Sequence, residues 1–185
     1  MKIKLFLLAT ATLAMVSCSS SKSQSGPDTE VEVPCSGYSY SSDHDTFRSS
    51  AMGQSTNLEI ASQKAMTAAR SKLATSIETT VKTVTDNYLS SYEVGTNEEA
   101  RSRFQSMTRE AASQTLRNVR TICNKTTQSS DGMYKSYVAL EVTTDALEKD
   151  IVNGISNDEK LRTDFEYEKF KEVFNEEMAK LESER

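Results

Sequence analysis

The chain has 185 residues, enough for one domain with a substantial core. It carries 22 lysine and arginine residues against 27 aspartate and glutamate residues, a formal net charge of −5. A protein that binds nucleic acid needs a basic surface to neutralise phosphates. The acidic balance therefore argues against a nucleic-acid partner.

The N-terminus has the layout of an export signal. Lys2 and Lys4 precede an apolar run over residues 5–16, and Ser17 and Cys18 follow directly. The run is about twelve residues long, shorter than the roughly twenty that a transmembrane helix needs. We therefore predict a signal that is processed, not a permanent membrane-spanning helix.

The residues Met15, Val16, Ser17 and Cys18 resemble a bacterial lipoprotein box, in which a small residue precedes a cysteine. The resemblance implies cleavage before Cys18 and acylation of Cys18 by fatty acids such as palmitate, which would anchor the chain to a membrane. Met15 departs from the leucine that the pattern prefers. The alternative is an ordinary secretory signal with an incidental cysteine, and the serine-rich stretch after Cys18 argues against it.

Residues 19–34 are rich in serine, glycine and proline and show no apolar periodicity, which predicts a flexible linker. Sixteen such residues reach on the order of 20–24 Å. We expect a signal peptide over residues 1–17 and a lipidated cysteine with its tether over 18–36. A domain over 37–155 and a C-terminal amphipathic helix over 156–185 would follow.

Two cysteines remain once Cys18 serves as the anchor, namely Cys35 and Cys123. In an oxidising compartment they could form one disulfide, and the alternative is a pair of free or buried thiols. The distance between their Cα atoms decides between the two, because a disulfide requires roughly 7 Å or less.

The first half of the domain predicts a strand followed by a long helix. We expect the strand over residues 46–52, a turn over 53–56, and Asn57 as the helix N-cap. Apolar residues then recur at steps of three or four as far as about Tyr92, which is one face of a helix. They are Leu58, Ala61, Ala65, Ala69, Leu73, Ile77, Val81, Val84 and Tyr88.

The second half predicts a helix, a β-hairpin and two more helices. Gly95 should end the first helix, and Thr96 or Asn97 should cap the second, whose apolar face is Ala100, Phe104, Met107, Ala111 and Leu116. Residues 119–124 and 134–143 alternate as strands, and the Asp-Gly pair within residues 129–132 predicts the hairpin turn between them.

A short helix should then open at Thr143 or Thr144 and end near Gly154. Asp158 should start a final amphipathic helix that runs to about Ser183. Its stripe of phenylalanines has two interpretations: core packing, or a surface for an envelope protein partner. The stripe consists of Phe165, Phe170 and Phe174.

The alanine-rich pattern over residues 61–77 and the segment Tyr-Val-Ala-Leu-Glu-Val at 137–142 resemble the LPP-twenty outer-membrane lipoprotein family. That family is related in fold to the N-terminal domain of the flagellar T protein. The resemblance covers roughly residues 46–150. It implies a small α+β domain, with an antiparallel sheet carrying helices on one face, and it brings no catalytic residues.

No pattern for catalysis or metal binding is visible. His44 is the single histidine, and Asp43 and Asp45 flank it without further ligands at a set spacing, so we interpret it as part of a solvated loop. The glutamates of the last helix alternate with lysines at helical spacing, which predicts local ion pairs, not a cation site. Nucleotide, metalloprotease and hydrolase motifs are lacking in the sequence.

We therefore expect an α+β lipoprotein of the outer membrane, facing the periplasm; the alternative is exposure at the cell surface. Its fold would be a small antiparallel sheet of one strand and a hairpin, with two long helices and a C-terminal helix. Its role would be structural or interactive, with no catalytic residues, cofactor or metal. The alternatives are a binding module that uses the sheet or the C-terminal helix to hold an envelope protein, or an enzyme of unrecognised type.

Overall fold

The computed structural model describes residues 31–91, 98–163 and 165–183. Within them it is an α+β fold with a small antiparallel sheet and five α-helices. The strands are β1 (Thr46–Ser55), β2 (Arg120–Gln128) and β3 (Tyr134–Thr143). The helices are α1 (Leu58–Ser91), α2 (Glu98–Thr115), α3 (Thr144–Ser156), α4 (Glu159–Arg162) and α5 (Tyr167–Ser183). The predicted fold class is confirmed.

The sheet has the order β1-β3-β2, so the second arm of the hairpin lies in the middle. Phe47 of β1 lies opposite Val142 of β3, and Asn124 of β2 lies opposite Val138. An irregularity between Thr121 and Cys123 shifts the β2 register by one residue. The hairpin turn is the predicted one, with Gly132 at a φ of 85°.

The core lies on one face of the sheet, which we call the inner face. It is made of alternate β1 and β3 side chains, the alanine-rich stripe of α1, and apolar residues from the other helices. The predicted apolar face of α1 is buried from Ala61 to Tyr88, and Leu58 at its start is exposed. Asn57 caps this helix as predicted, because its side-chain oxygen accepts a hydrogen bond from the Ile60 amide at 3.1 Å.

The structure contradicts the predicted turn over residues 53–56. Strand β1 continues through Gly53, which pairs with Ser136, and ends at Ser55. Short helix α3 runs two residues past Gly154, to Ser156. The expected ending at Gly95 and the expected caps Thr96 and Asn97 lie outside the described residues.

The prediction of a single final helix is also wrong. Asp158 caps a helix as predicted, accepting hydrogen bonds from the amides of Lys160 and Leu161, but this helix is the single turn of α4. The chain then leaves the helical path and re-enters it at Tyr167 to form α5. None of the described helices is long and apolar enough to cross a membrane.

One compact unit extends from Val33 to the C-terminus and includes α4 and α5. Phe170 and Phe174 of α5 are buried in the common core, and Phe165 packs against it. Tyr88 of α1 is the centre of this region, with ring centroids 5.3 Å from Phe104 and 5.6 Å from Phe170. The phenylalanine stripe therefore packs in the core, the first of its two interpretations.

Candidate functional site

The side of the sheet away from the helices, which we call the outer face, carries a disulfide and a cluster of charged side chains. Their residues are far apart in the sequence. Three strands contribute to it. From β1 come Arg48 and Met52, from β3 come Tyr137, Ala139 and Glu141, and from β2 come Arg120, Cys123 and Lys125. The segment over residues 35–45 joins β1 from this side.

Cys35 and Cys123 form a disulfide, with their Cα atoms 5.6 Å apart. Of the two states that the sequence left open, the structure has the bonded one. Cys35 is buried, and in β2 Cys123 lies opposite Ala139, which has no exposed surface. The bridge therefore fastens the start of the compact unit onto strand β2 and helps to cover the middle of the outer face.

A cluster of four charged side chains crosses all three strands next to the disulfide. Arg48 Nε lies 3.1 Å from a Glu141 carboxylate oxygen, and Arg120 Nη2 lies 2.8 Å from the other oxygen. Arg48 Nη1 lies 2.5 Å from Asp43. Two cations and two anions make the cluster neutral, and its members come from β1, β2, β3 and the segment before β1.

The environment of Asp43 keeps its carboxyl ionised. Burial alone would raise its pKa, but hydrogen bonds from Thr46 and Arg48 outweigh burial and lower the pKa from 3.8 to about 2. Burial likewise opposes the charge of Arg48, and the hydrogen bonds to Asp43 and Glu141 raise its pKa above the usual range. Groups so firmly charged hold the segment in place and are poorly suited to exchange protons near neutral pH.

His44 lies in the same loop and is half-exposed, beside Asp45 at 2.8 Å. Its backbone carbonyl accepts a hydrogen bond from the Thr144 hydroxyl at 3.0 Å, which joins the loop to the start of α3. In the part of the chain that the structure describes, no three His, Cys, Asp or Glu side chains are arranged to hold a metal ion. The half-exposed imidazole of His44 is accessible to solvent.

A groove of about 460 Å³ between α1 and α2 is a second candidate. Its floor contains the hydroxyls of Thr85 and Thr108, which hydrogen-bond to each other at 3.1 Å. At its rim Lys82 pairs with Asp86, and Arg109 donates to a carbonyl of its own helix. These polar groups bond within the protein, so they do not converge on a ligand.

The predicted ion pairs of the last helix are present. Lys169 lies 2.6 Å from Glu166, and Lys180 contacts Glu177. Glu177 is buried and also accepts a hydrogen bond from Asn87 of α1 at 2.8 Å. Glu177 thereby joins α5 to α1, and both pairs agree with the predicted local ion pairing.

Sequence reasoning named Cys35 and Cys123 but missed the charged cluster. Arg48 and Glu141 are 93 residues apart in the chain, and only the β1–β3 register brings them together. The one available signal was a charged residue close to one end of the strand, Arg48 in β1 and Glu141 in β3. Cys18, the predicted lipidation site, lies outside the described residues.

Comparison of the chain with protein-family models, with curated proteins and with solved structures found no match.

Proposed function

We propose that this chain is a lipid-anchored protein of the bacterial outer membrane that holds a small α+β domain on the periplasmic side. The observation that carries the proposal is the N-terminal pattern, in which lysines, a short apolar run and Ser17 lead directly to Cys18. Acylation at Cys18 by several chains would anchor the protein durably, since one chain alone binds only marginally.

Two further features support this proposal. A disulfide between Cys35 and Cys123 suits an oxidising compartment such as the periplasm. The small sheet with helices on one face is also the architecture that the resemblance to the LPP-twenty lipoproteins implies.

The proposed role of the domain is structural or interactive. Arg48, Asp43, Arg120 and Glu141 are engaged in ion pairs within the fold, and the proposal assigns no catalytic residue, cofactor or metal. A binding role for the sheet is favoured over one for α5, because the apolar face of α5 is covered by the protein's own core.

The anchor is tested by metabolic labelling of expressing cells with radioactive palmitate. The wild-type protein should incorporate label and fractionate with membranes, and Cys18→Ser should lose both properties. A Cys35→Ser, Cys123→Ser double variant is the matched control, because it removes two cysteines and should keep the label. Equal labelling of the wild type and Cys18→Ser would exclude the anchor.

A further inference from the structure

The two edge strands of the sheet, β1 and β2, differ in how far other parts of the chain cover their backbone. Along β1, the ammonium groups of Lys64 and Lys72 approach the carbonyl oxygens of Gln54 and Ser50 at 3.3 and 3.2 Å. Lysines at an edge strand hinder the addition of another strand. Edge β1 is therefore occupied by side chains of α1.

Edge β2 has no such cover among the described residues. Its one strand neighbour is β3, and no described side chain hydrogen-bonds to its backbone. Seven of its nine residues are exposed, and Ile122 and Cys123 are partly buried. An open edge of nine residues is about 30 Å long and offers a row of backbone donors and acceptors.

The two faces beside this edge have different chemistry. On the outer face Arg120 and Lys125 project from a strand that has no acidic residue. Arg120 is engaged with Glu141, whereas Lys125 makes no ion pair with a described residue. A segment added beside β2 would therefore meet the uncompensated positive charge of Lys125 on its outer side.

On the inner face, α1 stops short of β2 and leaves a shallow groove of about 590 Å³ between them. Asn124 and Thr126 of β2 line this groove together with Asn57 and with Leu58, Glu59 and Ser62 of α1. Leu58 is 47% exposed, the one large apolar side chain of the helix stripe that the fold leaves uncovered. Every second side chain of an added strand would point toward this groove.

We propose that the open edge of β2 binds an extended segment of an envelope protein partner, in which acidic and apolar residues alternate. The segment would form backbone hydrogen bonds with β2, place acidic side chains beside Lys125 and Arg120, and place apolar side chains over Leu58. The identity of the partner as an envelope protein rests on the proposed function. A second copy of β2 is a poor occupant, because it would bring two cations and no acidic residue.

The test uses the full chain in a non-ionic detergent and a capped nine-residue peptide of alternating glutamate and valine, labelled with a nitroxide at its N-terminus. We expect saturable binding and broadening of the amide resonances over residues 120–128. Lys125→Glu should weaken binding about fivefold to tenfold, since it replaces an attractive cross-strand pair by a repulsive one. Lys125→Gln should weaken it less.

Lys72→Glu is the matched control, because it makes the same charge change at the opposite edge of the sheet and should leave peptide affinity unchanged. A lysine–valine peptide should not bind. The proposal is wrong if the glutamate–valine peptide does not bind at millimolar concentration, if Lys125→Glu has no effect, or if the strongest broadening lies at β1 or on helices α2 to α5.

Self-association of the unliganded chain that Lys125→Glu abolishes would assign the edge to a second copy and overturn the proposal of a separate partner. Palmitate labelling reads out the anchor independently. A failure of peptide binding with normal labelling would therefore reject the edge site alone.

Discussion

Gly53 shows how a single residue sets the distance between a strand and a helix. A Cβ atom at this position would lie 2.4 Å from the carbonyl oxygen of Ala61 and 2.5 Å from the amide nitrogen of Ala65. Both are backbone atoms of α1, so neither can rotate away. The absence of a side chain at Gly53, with alanines facing it, allows α1 to lie directly against β1.

Gly53→Ala should lower the free energy of unfolding by about 2–3 kcal/mol, because α1 must move away from the sheet to admit the methyl group. Chemical denaturation followed by circular dichroism measures this change. Gln54→Ala is the neighbouring control on the outer face, and we expect it to change stability by less than about 0.5 kcal/mol. An unchanged free energy for Gly53→Ala would mean that α1 does not approach β1 this closely.

The same residue explains the error in the sequence-based boundary of β1. Glycine followed by polar residues is a usual signal of a turn, and residues 53–56 fit that signal. Glycine inside a strand also marks the close approach of another backbone. A turn and a strand that lies close to another backbone are distinguished by tertiary contacts. The local sequence therefore could not show which of the two residues 53–56 form.

At the scale of elements, the C-terminal helices contribute to the core as fully as the strands do. Phe170 has no exposed surface and contacts the rings of Tyr88, Phe104 and Phe165, with centroids 5.5 to 6.4 Å apart. Tyr88 also accepts a hydrogen bond at its hydroxyl from the Glu166 amide at 3.0 Å. This aromatic cluster joins α1 and α2 to α5.

Phe170→Ala should therefore destabilise the whole unit, not α5 alone. Loss of a fully buried phenylalanine costs about 3–5 kcal/mol, so the midpoint of unfolding should fall sharply while the transition stays cooperative. Glu172→Ala, at an exposed position of the same helix, should shift the midpoint little. Parallel changes in circular dichroism and in tyrosine fluorescence would show loss of one cooperative core.

If Phe170→Ala instead left stability near that of the wild type, α5 would not belong to the core. The partner-binding interpretation of the phenylalanine stripe would then regain support.

The break between α4 and α5 had a signal in the sequence that periodicity counting overlooked. Most apolar positions of the C-terminal segment are three or four residues apart, but Phe165 and Phe170 are separated by five. A step of five does not keep both rings on one face of a continuous helix. By contrast, the long run of three- and four-residue steps in α1 predicted that helix almost to its ends.

At the scale of the whole molecule, the helices cover only the inner face of a three-stranded sheet. The outer face is covered in part by residues 35–45, fixed at one end by the Cys35–Cys123 disulfide and at the other by Arg48, Asp43 and Glu141. The sequence predicted the strands and both cysteines. It could not predict the strand order, the charged cluster or the open edge of β2, because each depends on contacts between distant segments.

The disulfide joins residues 88 positions apart, so it should stabilise the fold mainly by restricting the unfolded chain. We expect the Cys35→Ser, Cys123→Ser double variant to lose about 2–4 kcal/mol of unfolding free energy. Reduction of the wild type should cause a similar loss, and the double variant should not respond to reductant. Denaturation with and without dithiothreitol measures all of these values.

Hydrogen exchange shows which part of the fold is destabilised when the Cys35–Cys123 disulfide is removed. Without the bridge, residues 35–45 lose their covalent attachment to β2, so exchange should accelerate first in β2 and at Ala139 of β3, which lies opposite Cys123. The amides of α1 should change only with global stability. Uniform acceleration in both regions, or equal stability with and without reductant, would show that the charged cluster alone suffices to close the outer face.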